Sequence, residues 1–477
     1  MSSLRSNFLW NSSFQLVRIL TPLITTPYLA RILGSEGMGV YSYTYAVANY
    51  ACLFVLLGIN QYGNREIAKA RSDRRLLSRT FCSIFAMQLL WGTFMAAFYL
   101  IYAVFFSGAS RLYALIWTFW VIAEIFDTSW FFSGLEEFKV MTIRNLFIRL
   151  FVIVGIFVFV RRPGDVWAYC LLQALAFVLS SAALLPMLRR RVDWVVPPVN
   201  EVIKHVKPNL VLFAPVIAVT FYAQANKIIL GLFSGMSEVA FYDNADKISV
   251  IPLSIIQSMG TVMLPRMSRV RSEGDSFLAR KYFDVTVWFG SILAFGFTFG
   301  IIAVSKEFVP LFFGGGFEKC LVLMPLLALI IPSVAWSNAF GVQWLLPAER
   351  DRQYLESVVV GAVVNIFLCI LLIPAMGSIG AAIATVAAEL AVTAMQVSLI
   401  HKELPIRKYI LEAVPYCVFG ILMLLGVRGI AGYLTGGLWA FLLEVLFGIL
   451  LYGLMCIVWL LVIKDERIQL FLPKKGV

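Results

Sequence analysis

The chain has 477 residues, of which 61% are hydrophobic and 14% charged, with a mean hydropathy of +0.86. That leaves too little polar surface for a soluble protein of this size and defines an integral membrane protein. The net charge of +12 does not point to nucleic acid, because the basic residues sit in short connections between apolar runs, where membrane topology accounts for them.

The seven cysteines are scattered and include no C-x-x-C pair, which argues against disulfides or zinc. The two histidines, His205 and His401, both lie in polar connections, so a histidine-based catalytic or metal centre has almost no material. Apolar runs of about 20 residues match helices crossing a ~30 Å hydrocarbon core, whereas barrel strands would alternate over about ten.

In chain order the runs predict about fourteen spans, near 8–33, 38–62, 80–106, 111–132, 143–160, 166–187, 210–233, 239–263, 282–304, 320–347, 355–374, 378–400, 410–427 and 437–462. The polar opening, with Arg18 inside the first run, predicts no cleaved signal peptide. Connections after even-numbered spans carry the dense basic clusters, Arg65 to Arg79, Arg189 to Lys207 and Arg266 to Lys281, while those after odd-numbered spans carry few bases. The positive-inside rule then places both termini in the cytoplasm.

The chain also repeats itself. Arg31-Ile-Leu-Gly34, Glu36 and Gly39-Val-Tyr41 are answered by Lys227-Ile-Ile-Leu-Gly231, Glu238 and Ala240-Phe-Tyr242. A fainter pair joins Gly164-Asp-Val-Trp-Ala168 to Gly377-Ser-Ile-Gly-Ala381. The longest polar connection, with Pro197-Pro198, lies between the copies. The expectation is a six-helix half over 1–195, a second over 196–405 and two added helices over 406–477. Because six is even, the halves share an orientation, with a binding cavity between them, as in parallel transporter repeats.

Several motifs occur in an order that resembles a known family. They are Thr21-Pro22, Pro27-Tyr-Leu-Ala-Arg31-Ile-Leu-Gly34, Glu36-Gly-Met-Gly-Val-Tyr41, Asn226-Lys-Ile-Ile-Leu-Gly231, Ala245-Asp-Lys247, Met263-Leu-Pro265 and Phe313-Gly-Gly-Gly-Phe317. The chain is similar along its length to bacterial polysaccharide transporters, the oligosaccharide-lipid flippases of the multidrug/oligosaccharidyl-lipid/polysaccharide exporter superfamily. One departure is Asn226, where the family commonly has an acid before the seventh-span Ile-Leu-Gly motif.

The resemblance implies an all-α polytopic membrane protein with two pseudo-symmetric halves around a central cavity. It implies a flippase of the bacterial inner membrane rather than an enzyme. Its cargo would be an oligosaccharide on polyprenyl (undecaprenyl) diphosphate, with membrane lipids and other polysaccharide-assembly proteins as partners and no cofactor or metal. The alternatives are a peptidoglycan lipid-precursor flippase and a multidrug/cation antiporter. A drug exporter is expected to line its cavity with acids, whereas spans one, two and five contain no acids and spans one and five carry bases. A membrane glycan enzyme is disfavoured by connections of no more than about twenty-odd residues and dispersed acids.

Such a cargo needs cations for its diphosphate, and the intramembrane bases are Arg18, Arg31, Arg149, Lys227 and Lys247. Arginine donates two parallel hydrogen bonds to phosphate, while lysine acts as a point charge. Competing readings are snorkelling for Arg31, Arg149 and, with more strain, Lys227, an interhelical partner for Arg18, and for Lys247 an ion pair with Asp243 one helical turn earlier. The sugars need aromatic faces and hydrogen bonds, and Tyr41, Tyr45 and Asn49, spaced by four, share one helix face. Tyrosine is also enriched at membrane interfaces, which is the other account of that face.

Glu124, Asp127, Asp243 and Glu389 are candidates either for coupling to an H+ or Na+ gradient or for neutralising the bases. The membrane potential alone favours export of a diphosphate by roughly 4 to 5 kcal/mol per 100 mV.

Overall fold

The computed structural model describes the backbone of residues 4–434 and 436–464. It describes the side chains of residues 21–464 apart from 214–215, 218–219, 221–223, 261–262, 272, 276 and 435. The described residues are helical throughout, with no strand among them. Lipid offers no hydrogen-bond partners, so each span must satisfy its own backbone groups, and the helix is the open-ended way to do so.

The helices are α1 (Leu4–Leu56), α2 (Ile59–Ala70), α3 (Arg74–Ile101), α4 (Arg111–Ile125), α5 (Ser129–Gly134), α6 (Phe138–Phe159), α7 (Val166–Leu188), α8 (Val199–Lys204) and α9 (Val206–Phe233). They continue with α10 (Met236–Ser272), α11 (Ser276–Phe312), α12 (Cys320–Ala328), α13 (Ile330–Ser337), α14 (Asp351–Met376), α15 (Ser378–Ile400), α16 (Ile406–Ala431) and α17 (Gly437–Val462). Twelve described stretches are long and apolar enough to cross a membrane. The first of them is broken at Gly34, and α9 adds a further long helix, so the fourteen expected spans all have helices.

The break inside α1 is local chemistry. Gly34 adopts φ 67°, ψ −179°, a region open in practice only to glycine. The second copy of the repeat breaks at Gly235 (φ 95°) rather than at Gly231, so the positive-φ glycines each stand seven residues before Tyr41 and Tyr242. Gly231 serves another purpose: a Cβ there would lie 2.2 Å from the Tyr43 ring.

Three expected spans are interrupted, the second at 57–58, where α1 gives way to α2. The fourth is α4 and α5 with a break at 126–128, and the tenth is α12 and α13 followed by a wide π-helical stretch, Asn338–Leu345. Proline explains part of the latter, because Pro332 has no N–H for the carbonyl of Ala328 four residues earlier. The Thr298 hydroxyl, whose shorter hydrogen bond goes to the Ala294 carbonyl of its own helix at 2.8 Å, lies 3.2 Å from the Ala328 carbonyl.

The chain divides into two compact units, Met1–Ala240 and Phe241–Val477. In the first, α2, α3, α5 and α7 enclose Phe81, Trp130, Phe131 and Phe132, all buried. In the second, one core gathers Phe283, Phe340 and Tyr409, and another Trp288, Tyr416 and Tyr452. Phe94, Phe98, Phe106, Phe147, Phe367 and Leu450 are instead exposed, as side chains facing lipid tails should be.

The basic ends of the first unit carry ion pairs. Arg74 grips Asp193 through two bonds of 2.9 and 2.8 Å, and its hydrogen bonds hold the Asp193 carboxyl below its usual range. Arg79 pairs with Glu201, Arg71 with Glu136 and Arg191 with Glu137. Between them His205 is buried, with its Nδ1 2.5 Å from the Tyr62 hydroxyl and its Nε2 3.0 Å from Ser83 Oγ. Ser83 donates its proton to a backbone carbonyl of its own helix, so its oxygen accepts from the imidazole. A neutral ring with hydrogen on Nε2 and Tyr62 donating to Nδ1 satisfies all three groups.

Candidate functional site

Within the first unit, the stretch of α1 beyond Gly34 presents Tyr41, Tyr45 and Asn49 along one face, as their spacing predicts. The Tyr41 and Tyr45 rings stack with centroids 5.9 Å apart. Tyr41 also meets Tyr169 of α7 at 4.2 Å and Trp117 of α4 at 5.8 Å. Tyr45 lies 5.0 Å from Trp120 and nearly parallel to it. Trp120 in turn stacks on Phe177 at 4.1 Å. The two tryptophans are buried behind the half-buried tyrosines, so this wall shows tyrosine rings in front and tryptophan behind.

The tryptophan N–H groups find partners. Trp117 Nε1 donates to Thr44 Oγ1 and Trp120 Nε1 to Glu124 Oε2, each at 3.0 Å. Trp117, Trp120 and Glu124 are spaced by three and four, so one face of α4 delivers both rings and the acid.

Polar groups adjoin this wall. Tyr45 hydrogen-bonds Asn49, and its hydroxyl is within electrostatic range of both Lys227 on α9 and Glu124 on α4. Glu124 is in range of Asp127, and Asp127 of Arg144 on α6. Two acids and two bases therefore form one string through the unit. Asp127 also accepts from Ser129 through its Oγ at 2.5 Å and its backbone N–H at 3.3 Å.

The acids sit at a helix break whose carbonyls need donors. Gln88 of α3 supplies them: its amide nitrogen faces the carbonyls of Glu124 (3.2 Å), Ile125 (3.2 Å) and Asp127 (2.8 Å), while its oxygen accepts from Trp130 Nε1 at 3.0 Å.

Arg31 is exposed and donates to the carbonyl of Pro27 at 3.3 Å. Arg149 is half-buried on α6. Asn226 is buried beside Lys227 on α9. In the second unit, Lys247 pairs with the buried Asp243 at 2.6 Å, and Glu389 lies near Tyr354. Arg18 falls outside the described side chains.

Sequence reasoning missed Arg144, which donates to the carbonyl of Ser180 at 3.1 Å and to Asn145 Oδ1 at 2.9 Å. It stands at the edge of the expected fifth span, beside Asn145. Gln88 carries no charge to flag it, whereas the Trp117, Trp120 and Glu124 spacing was readable.

A lysine ammonium at the end of an aromatic wall suits an anionic ligand bearing flat polar rings. Lysine supplies the charge, and tyrosine faces and hydroxyls supply stacking and hydrogen bonds.

A helical, many-spanning chain defines the class, a multi-pass membrane protein. The fold is shared with a solved lipid II flippase, MurJ in an inward closed conformation, at a TM-score of 0.78 and 13% identity over 96% of this chain and 100% of that one. An inward-facing multidrug resistance MATE family transporter of the MOP superfamily aligns less well, at 0.54 and 12% identity over 81% and 99%. The polysaccharide biosynthesis protein family model matches residues 4–271, and the chain belongs to that family. A putative O-antigen transporter of Escherichia coli (strain K12) is 22% identical over 84% of this chain and 97% of its own length. A probable low-salt glycan biosynthesis flippase, Agl15, of Haloferax volcanii is 24% identical over 49% of each chain.

Proposed function

We propose that the protein is a flippase that carries polyprenyl-diphosphate-linked oligosaccharide repeat units from the cytoplasmic to the outer leaflet of the bacterial inner membrane, supplying cell-surface polysaccharide synthesis. The observation that carries this reading is Lys227 in electrostatic range of Tyr45, at the edge of the tyrosine and tryptophan wall of the first unit. Family membership and the names of the relatives support it.

In this reading Lys227 holds the diphosphate by charge. Tyr41 and Tyr45 face the sugars and Asn49 orients the Tyr45 hydroxyl. Glu124 and Asp127, with Arg144, set the charge that Lys227 presents when the ligand is absent. Both termini are cytoplasmic, and alternating access exposes the site to each leaflet in turn.

The test uses the full-length protein in liposomes with a fluorescent polyprenyl-diphosphate sugar, scored by a membrane-impermeant quencher with and without a potential or ion gradient. Protein-dependent flipping is expected, lost in Lys227→Ala and partly restored in Lys227→Arg. Wild-type flipping by Lys227→Ala removes the cationic site. Expulsion of a cationic dye with no lipid flipping, while a control flippase works, replaces the reading with drug export.

A further inference from the structure

A second charged cluster lies in the second unit and includes none of the residues assigned above. Arg428 of α16 donates through one guanidinium nitrogen to both oxygens of Glu307 on α11, at 3.0 and 2.9 Å, and through the other to the carbonyl of Ile302 at 3.3 Å. The Glu444 carboxyl of α17 contacts the Glu307 carboxyl. Glu444 is 1% exposed, and its Oε2 has no hydrogen-bond partner. It lines an apolar groove of about 430 Å³ whose wall includes Gly296, Gly300, Met423, Gly448 and Tyr452.

We propose that Glu307, Arg428 and Glu444 form a proton-binding site in which Glu444 takes up one proton from water and its O–H donates to the Glu307 carboxylate. The charge count requires it. Two ionised carboxylates in contact share a single guanidinium, and that guanidinium is already engaged by both oxygens of Glu307. One added proton makes the cluster neutral and turns a repulsive carboxylate contact into a hydrogen bond.

Among the described residues, Glu307 and Arg428 are the charged groups that act on Glu444. It is the one charged residue of α17, the helices packed on α17 are α11 and α16, and the neighbouring Lys306 of α11 is exposed. A metal ion is a poorer fit, because hard cations want about six oxygens and the groove offers glycine, aliphatic and thioether surface. The described residues also contain no cluster of three or more acids, histidines or cysteines able to hold one.

Release of the proton restores the repulsion, which acts between α17 and α11. Proton occupancy therefore sets how tightly the last helix is held against the rest of its unit. This inference concerns proton binding alone and does not depend on what the protein transports.

The test is infrared difference spectroscopy of the full-length protein in lipid nanodiscs across a pH titration, reading the carbonyl stretch of protonated carboxylic acids. Wild type minus Glu444→Gln should show the signal of one protonated acid at neutral pH that vanishes as pH rises. Glu307→Gln should abolish that signal as well, because Glu444 then pairs with Arg428 and ionises. Glutamine matches the neutral acid in shape, so Glu444→Gln should fold, and its unfolding temperature should lose the decline with rising pH that wild type shows. A wild-type signal unchanged in Glu444→Gln, or retained in Glu307→Gln, overturns the proposal. So does a sodium-dependent rise in unfolding temperature that Glu444→Gln eliminates, which would assign the site to a metal ion.

Discussion

Gln88 offers a sharp test of how the interior of the first unit is held. Its amide nitrogen serves the carbonyls of Glu124, Ile125 and Asp127 at the α4 break, and its oxygen satisfies Trp130 Nε1. Methionine at this position keeps the length and burial and removes every one of these bonds. The two amide hydrogens contribute about 0.5–1.5 kcal/mol each, and an indole N–H left buried without an acceptor costs about 1–3 kcal/mol, so Gln88→Met should destabilise by roughly 2–6 kcal/mol.

The second unit contains a control, Gln396, which is equally buried. It makes a single bond to Ser357 Oγ at 3.2 Å and has an unpartnered Oε1. Gln396→Met relieves an orphaned oxygen while losing one bond, so it should be near neutral. The assay is thermal unfolding in detergent followed by a thiol-reactive dye, since six of the seven free cysteines are buried and report when the helices part. Equal unfolding temperatures for the two variants would refute the claim that the α4 break depends on Gln88.

Two further outcomes follow from backbone and titration. Gly34→Ala places a side chain in a glycine-only conformation and should cost about 1–3 kcal/mol by the same assay, whereas Gly164→Ala, with open space around its Cβ and no positive φ, should be tolerated. Burial pushes the His205 imidazole below its ordinary value, with Lys204 adding to the effect and Glu66 and Glu201 opposing it. A base depressed in the folded state contributes stability that is complete above its unfolded pKa of about 6.5 and falls away as pH drops below it. Wild type should therefore lose unfolding temperature between neutral pH and pH 5 by more than His205→Gln does; equal losses would count against the neutral imidazole.

The spans were legible because lipid leaves the sequence little freedom: an apolar run long enough to cross must be helical, and its ends are marked by charge. The family resemblance read from ordered motifs agrees with the family match over 4–271. The repeat was legible as well, but not the role of its glycines. Matching Gly231 to Gly34 paired identical letters, whereas the positive-φ break lies at Gly235. The face of Tyr41, Tyr45 and Asn49 could be read from helical spacing, since it belongs to one element. The string from Lys227 through Glu124 to Arg144 could not, because it joins α9, α4 and α6, and period and spacing carry no information across helices. The break at 126–128 was hidden for a related reason: the donor that satisfies it, Gln88, comes from another helix.

That same string bears on how the protein is made. Glu124 and Asp127 leave the ribosome before Arg144, and Lys227 follows much later. A carboxylate at the centre of a lone membrane helix costs about 2.5–3.5 kcal/mol on insertion scales. During synthesis the α4 and α5 region therefore waits in the membrane for its counter-charges, and its final seating is a late event that requires α6 and then α9. A truncation ending before α9 should leave that region the least settled part of the nascent chain and a natural target for membrane quality control.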